Sequence, residues 1–403
     1  MKNKIIGIFV CLLLITTGVL PVYGTVNASN VKKSSTVEIP DSHIIENVPY
    51  VNQGDSYYCS YATVTMIFQY YGLNTSLFEV LFNSGVGYSL GYKRIYPCLS
   101  IPGVVMSQNV EDKQFLADIY GLNYSYWNFN NDWQMYWTSV KENISINIPV
   151  STEVWCEELP YYNTSGAHSI LLVGFNETNN TVCLHDSIAS VFNTSISGAY
   201  IFMPIDCLKK ALISFNGKYF FELFEDTIAE PLPKKEAFEL AHSRNINRMK
   251  GHANVYDKEF IKSNLGRLTH IFGVHALKCI KHSYNIRNIL MLSISGKIKG
   301  TDNILGLAYW CYWISVEKHN MSQYLIENAN LHPAALFDAE MLEIEANNWM
   351  LLYYKNMELS SIPIFRLPAK LLVLKEIRDI YDVIISIEKN IIAGPPSTVS
   401  SQK

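Results

Sequence analysis

The chain has 403 residues, of which 49% are hydrophobic and 17% charged, with a formal net charge of −4. That length and apolar content suit two or three globular domains and exclude a disordered or fibrous chain. The slight acidic excess leaves no basic surplus to neutralise phosphates, so nucleic acid is not an expected partner.

The chain opens with Met1-Lys-Asn-Lys4 and an apolar run from Ile5 to Val22, the charged and hydrophobic regions of a secretory signal. Gly24 and Ala28 offer small-residue cleavage sites, so residues 1–28 read as a signal peptide and the protein as secreted. Left uncleaved, the run approaches membrane-spanning length and would anchor the chain at the cell surface, the sole membrane contact expected. Asn-x-Ser/Thr sequons, from Asn27 and Asn74 to Asn193 and Asn320, agree with export and with a glycoprotein. Of eight cysteines, Cys11 leaves with the signal, and the odd remainder implies at least one free thiol. No Cys/His spacing suits a metal, and neither a metal nor a cofactor is expected.

Residues 29–45 are polar and unpatterned, a linker to a first domain spanning 46–228. Within it, Cys59 opens an apolar segment in which Ala62, Met66, Ile67 and Tyr70 recur at helical spacing and Gly72 supplies the stop. A second short helix is expected over 74–82. The glycine-rich stretch 85–91 lacks the Lys-Ser/Thr of a phosphate loop. Val110 to Tyr120 has helical periodicity. Aromatic residues crowd Tyr124 to Trp137, either as packing or as a substrate platform. Strands are expected over 146–154, 168–175 and 181–186, the last two forming a hairpin about a turn at 176–180. A short strand over 198–203 and a helix near 207–212 follow. Ala229 to Lys235 is a Pro/Lys linker, and six segments between 235 and 389 show helical periodicity. The expected architecture is therefore α+β, a helix on a small antiparallel sheet, followed by an all-α domain over 236–390 and a frayed tail over 391–403. His270, His275 and His282 lack the i, i+4 spacing of shared ligation on one helix, and Trp310, Trp313 and Trp349 read as core.

A cysteine in a helix's first turn meets open backbone N–H groups and the positive end of the helix dipole, which favour a thiolate. A nucleophile also needs a base, a group to orient it and donors for an oxyanion. With the hairpin turn centred between Glu177 and Thr178, His168 lies opposite Ser187, and a bulge or one-residue change of turn brings it to Asp186. His185 is the competing base, but alternation along a strand points His185 and Asp186 to opposite faces, so one alone belongs to the site. Gln53 lies six residues before Cys59, where its amide and the Cys59 N–H could share an oxyanion. Tyr58, Tyr161 and Tyr162 are candidate substrate contacts.

Several of these stretches resemble the papain-like cysteine peptidases of family 39, which include bacteriocin-leader-processing domains. They are Val48-Pro-Tyr-Val-Asn-Gln53, the Gln-x5-Cys spacing, Tyr70-Tyr-Gly72, Ala167-His-Ser-Ile-Leu-Leu-Val-Gly174 and Leu184-His-Asp-Ser187. Within that group, Asn83-Ser-Gly-Val-Gly87, Leu159-Pro-Tyr161 and the helical second half look more like the butirosin biosynthesis protein H type, whose N-terminal domain is a papain-like acyltransferase. The resemblance implies a papain-like fold over roughly 46–212, with Cys59 as nucleophile, His168 as base, Asp186 as its orienting acid and Gln53 as oxyanion donor. It departs at Ser60, where the leader peptidases usually carry Gly, and in the absence of a fused transporter. A secreted peptidase acting on a peptide or other acyl substrate is the leading expectation. An acyltransferase moving an acyl group from a thioester to an amine, and a non-catalytic binding protein on the same fold, are its alternatives.

Overall fold

The structure is a computed structural model that describes residues 26–27, 38–54, 56–88, 90–93, 104–106, 110–162, 164–251, 270–299 and 303–396. The expected signal peptide (Val26–Asn27 apart), Cys98, the segment 252–269 and the end of the tail lie outside the described residues. In chain order the elements are β1 (Val26–Asn27), β2 (Ser42–Ile44), α1 (Cys59–Tyr70), α2 (Leu77–Ser84), β3 (Leu90–Lys93), β4 (Val104–Met106), α3 (Val110–Ile119) and β5 (Leu122–Asn128). There follow α4 (Trp133–Ser145), β6 (Val150–Trp155), β7 (Ala167–Asn176), β8 (Thr181–His185), the single turn α5 (Ala189–Phe192), β9 (Ile201–Pro204), α6 (Ile205–Asn216) and β10 (Phe220–Asp226). The last group is α7 (Lys234–Met249), β11 (His270–Phe272), α8 (Gly273–Ser283), α9 (Ile286–Lys299), α10 (Asn303–Glu327), α11 (Ala335–Ser361) and α12 (Leu367–Ala393).

The chain divides into two compact units: of the described residues, one holds 26–81 and 110–232, the other 82–106 and 233–396. The crossing at Leu232–Pro233 lies inside the expected 229–235 linker, whereas residues 82–106, expected in the first domain, belong to the helical unit.

In the first unit the sheet runs β1-β5-β10-β6-β7-β8-β9. The ten-residue β7 is its axis. β6 pairs with Ala167 to Leu172, and β2 pairs with Gly174 to Asn176. Eight successive residues of β7, His168 to Phe175, are buried, so its apolar run is continuous where a half-exposed strand would alternate. Helix α1 packs on β7 and is buried from Ser60 through Phe68, as a helix apolar around its circumference must be. Two expectations are corrected here. The linker 29–45 ends in a strand, because the Ile45 N–H bonds the Val173 carbonyl at 2.8 Å and Ile45 itself is buried. The strand expected over 146–154 begins only at Val150, since α4 ends at Ser145 and Asn147 takes a positive φ of 62°. β10 escaped notice because Phe220-Phe-Glu-Leu-Phe224 has no clean alternation; all five residues are buried. The aromatic crowd over 124–137 is packing. Phe129, Tyr136 and Phe221 meet at centroid distances of 5.1–5.8 Å, and Trp133 stacks on Trp137 at 5.6 Å.

The second unit is helical but not all-α: β11, β3 and β4 form a small antiparallel sheet, which corrects the expectation for this half. Two of the six segments with helical periodicity, 305–318 and 322–330, form the single α10, and the expected tail starts inside the last turn of α12, where Ile391 is buried. Trp349 lies in the apolar core with Leu352, Ile377 and Tyr381.

A buried charge cluster crosses this unit. Lys318 Nζ lies 2.8 Å from Glu345 Oε1 and 3.5 Å from Glu388 Oε1, and Trp349 Nε1 donates to Glu345 Oε1 at 3.0 Å. Burial lifts Glu317 and Glu388 to about 8, against the pull of Lys318. A carboxyl raised on folding contributes stability fully present below its unfolded value of roughly 4.3 and lost as pH rises through the folded value. The Tm of the helical unit should therefore fall between about pH 5 and 9, with a shallower slope in Glu388→Gln; parallel slopes in thermal melts would refute this.

Candidate active site

Cys59 is the first residue of α1, and the preceding Tyr58 offers no side-chain cap. Its backbone N–H, like the others of a first turn, has no acceptor within the helix. The Cys59 side chain remains partly exposed, in contrast with the nine buried residues after it.

His168 arrives on the hairpin of β7 and β8. Asn176 pairs with Thr181, so the turn has four residues rather than two, and it is held by Asn176 Oδ1 accepting from the Asn179 N–H at 2.8 Å. The register shifts between Leu172 and Gly174, after which Leu171 lies opposite His185 and the ladder stops. Asp186 therefore meets His168 from the turn beyond β8, not as a cross-strand pair. The Asp186 N–H bonds the Gly198 carbonyl at 2.8 Å, and its side chain places Oδ1 2.8 Å from His168 Nε2. Gly198 is obligatory there. It has φ +87°, and a Cβ would stand 2.7 Å from the Asp186 carbonyl oxygen and collide with the Tyr50 hydroxyl.

His168 Nε2 is committed to Asp186, and the Cys59 thiol is influenced by the same imidazole and by the Ser169 backbone N–H. Burial by itself raises the Cys59 thiol, but the influence of both outweighs it and holds the thiol below its ordinary value. Burial likewise works against charge on His168. The Asp186 carboxylate and the thiol reverse that and hold the imidazole well above 6.5. Asp186 is kept below the usual carboxylate range, against its own burial, by His168, the Ile188 N–H at 3.1 Å and the Tyr162 hydroxyl. Three groups thus favour a thiolate–imidazolium pair oriented by a carboxylate.

Gln53 lies beside the turn that carries Asp186. Its Oε1 accepts from Ser187 Oγ at 2.6 Å, its Nε2 donates to the Ser56 carbonyl at 2.5 Å, and its backbone N–H bonds the Ser187 carbonyl at 3.0 Å. One Nε2 hydrogen has no acceptor among the described residues, and the amide is locked in one orientation.

The structure places the three tyrosines expected as substrate contacts as follows. Tyr58 is buried at 2% exposure. Tyr161 donates to Asp186 Oδ2 at 3.1 Å and Tyr162 to both Asp186 oxygens at 3.0 Å, so both hydroxyls hold the acid. Nothing in the sequence marked that role, because the loop 156–166 carries no periodicity that would set its direction. Tyr162→Phe keeps the ring and removes the donor from a buried carboxylate. Its expected cost is about 1–3 kcal/mol, read as a lower urea midpoint at constant slope. His185 is fully buried between the rings of Tyr50 and Tyr200, and burial pushes it down to about 4. It sits on the face opposite Asp186 and does not enter the site. Glu153, which no motif in the sequence marked, lies across the ladder from Ser169.

No curated protein matches the chain significantly. Residues 45–199 match the Peptidase_C39 like family, a segment that contains Gln53, Cys59, His168 and Asp186. The similarity to cysteine peptidases thus lies in residues 45–199. Among solved structures the chain is similar to xylellain, a cysteine protease from Xylella fastidiosa, with 11% identity, 47% of this chain and 87% of that chain covered, and a TM-score of 0.30. A likeness at that score says nothing about activity.

Proposed function

We propose that the N-terminal unit is a papain-like thiol peptidase. The observation that carries this reading is the His168 imidazole, held at Nε2 by Asp186 and lowering the Cys59 thiol. In this mechanism the Cys59 thiolate attacks the carbonyl carbon of a peptide bond. The oxyanion that forms takes the Cys59 N–H and the second hydrogen of Gln53 Nε2. His168, already protonated, gives its proton to the leaving amine as the C–N bond breaks, and an acyl-enzyme remains on the sulfur. The now neutral imidazole draws a proton from water, which attacks the thioester; the carboxylic acid product leaves and the thiolate–imidazolium pair returns. Asp186 holds the ring and its charge throughout.

The same acyl-enzyme handed to an amine would make the chain an acyltransferase, so product mass separates the two outcomes. Export of the enzyme, read from residues 1–28, belongs to the same proposal.

The test is selective alkylation followed by turnover. Burial pushes the thiols of Cys156 and Cys183 up to about 12, so iodoacetamide below pH 7 should label Cys59 ahead of both. Peptides should then accumulate a Cys59 acyl-enzyme in a burst. A Cys59 that resists alkylation while Cys156 reacts would overturn the assignment.

A further inference from the structure

The helical unit holds a cavity of about 350 Å³, a volume that suits a small ligand. Three helix ends form it. The C-terminal half of α7 supplies one wall and the last turn of α12 another, while Asp338, in the first turn of α11, closes the cavity together with His332.

The polar groups on these walls are mostly acceptors. Asp338 is fully buried; its Oδ2 takes His242 Nε2 at 2.5 Å, and its Oδ1 has no donor among the described residues. A buried carboxylate oxygen left unpaired is costly, so it favours a ligand that donates. α12 adds carbonyls. The Gly394 N–H bonds those of Asn390 and Ile391, which leaves those of Ile392 and Ala393 without a donor from the helix. No basic residue in that last turn meets the negative end of the helix dipole. α7 ends at the same cavity, and the basic residue of its last turn is engaged elsewhere, since Arg248 donates to the Ser84 carbonyl at 2.9 Å. Glu239 adds an exposed carboxylate, and Ser243 and Asn247, both exposed, can accept as well as donate.

Little positive charge opposes these groups. Among the described residues that line the cavity, Lys250 is the only lysine or arginine, and it is exposed. His332 is neutral at pH 7, because burial first, and then the His242 ring 4.2 Å away, hold it below 6.5. Its Nδ1 is already engaged by the Ala334 N–H at 3.2 Å. The remaining surface is aliphatic and includes Ile246, Ile391 and Ile392.

We propose that this cavity binds a small primary amine. An ammonium group has three donors and no acceptor, which matches Asp338 Oδ1 and the open carbonyls of α12, and a short alkyl chain lies along the isoleucines. The site is independent of the peptidase reading, and its test does not involve Cys59.

The experiment uses the full chain and three probes of one chain length, n-butylamine, butan-1-ol and butyrate, titrated calorimetrically near neutral pH at fixed salt. n-Butylamine should bind with a Kd of about 1 mM, about tenfold tighter than butan-1-ol, with butyrate weakest. Ala393→Trp places a large ring at an exposed lining position and should abolish amine binding while the melting temperature holds. Asp338→Asn should weaken the amine about tenfold and leave the alcohol unchanged. Should that buried substitution not fold, Glu239→Gln at the exposed carboxylate supplies the charge readout, with an expected loss of about threefold for the amine alone. No amine binding, equal binding of the three probes, or tighter binding of butyrate overturns the site. So does amine binding that survives Ala393→Trp, or that is unchanged in the folded carboxylate variant.

Discussion

Cys59→Ala is expected to abolish peptide turnover, by about 10⁶-fold in kcat, since residues that act as one catalytic unit lose nearly everything when the nucleophile goes. The substitution should leave the fold intact. Cys59 is partly exposed at the start of α1, the helix is anchored by the buried run Ser60 to Phe68, and alanine is the better helix former. The decisive measurement is a progress curve at high enzyme concentration together with a thermal melt. Residual cleavage above about 1% of wild type in a folded variant would mean that another group carries the reaction. A melt lowered by more than a few degrees would mean instead that the thiol is a packing element.

Asp186→Ala is expected to fail in both stability and activity. Asp186 is fully buried and accepts from His168, Tyr161, Tyr162 and the Ile188 N–H, so its removal strands several donors and an unpaired imidazolium. Breaking such a buried pair costs about 3–5 kcal/mol. The pH dependence follows from the two shifts. Asp186, depressed on folding, contributes stability above its unfolded value near 3.9 that is lost as pH falls through the lower folded value. His168, raised on folding, contributes stability below about 6.5 that is lost as pH rises through the higher folded value. The pair is strongest between those limits, and the difference in unfolding free energy between wild type and Asp186→Ala should peak there. The Cys59 thiol should also titrate higher in the variant, seen as an alkylation rate whose rise with pH is displaced to higher pH. Asp186→Asn keeps an acceptor for His168 and should retain more activity than Asp186→Ala. Equal thiol titration in wild type and Asp186→Ala would remove Asp186 from the site.

The legible parts of the site were those governed by local pattern. A helix starting at Cys59 follows from apolar residues at helical spacing and a glycine stop, and α1 spans Cys59–Tyr70. The hairpin strands follow from two β-branched and apolar runs around Asn-rich turn residues, and β7 and β8 occupy those runs. Opposite orientation of His185 and Asp186 follows from strand alternation, and the burial of His185 among Tyr50 and Tyr200 shows where the discarded face points.

What the pattern could not carry was register. A two-residue turn would set His168 opposite Ser187. The four-residue turn and the shift at Leu172/Gly174 instead end the ladder at Leu171 and His185, and Asp186 reaches His168 from outside it. Bulges and turn lengths are settled by packing against neighbouring strands, here by β2 crossing close to Gly174, where a Cβ would lie 2.9 Å from the His43 carbonyl oxygen. The same holds for Tyr161 and Tyr162, whose hydroxyls converge on Asp186 through the path of an aperiodic loop.

By itself, the sequence determined that Cys59 opens a helix and that His168 lies on one arm of a hairpin, because helix and strand periods depend on nearest neighbours along the chain. Only the tertiary structure decided how Asp186 is held and which way Gln53 points. The Tyr162–Asp186 and Ser187–Gln53 bonds join residues 24 and 134 positions apart. Such meetings are fixed by the burial and hydrogen bonding of the whole sheet, which no local stretch of sequence encodes.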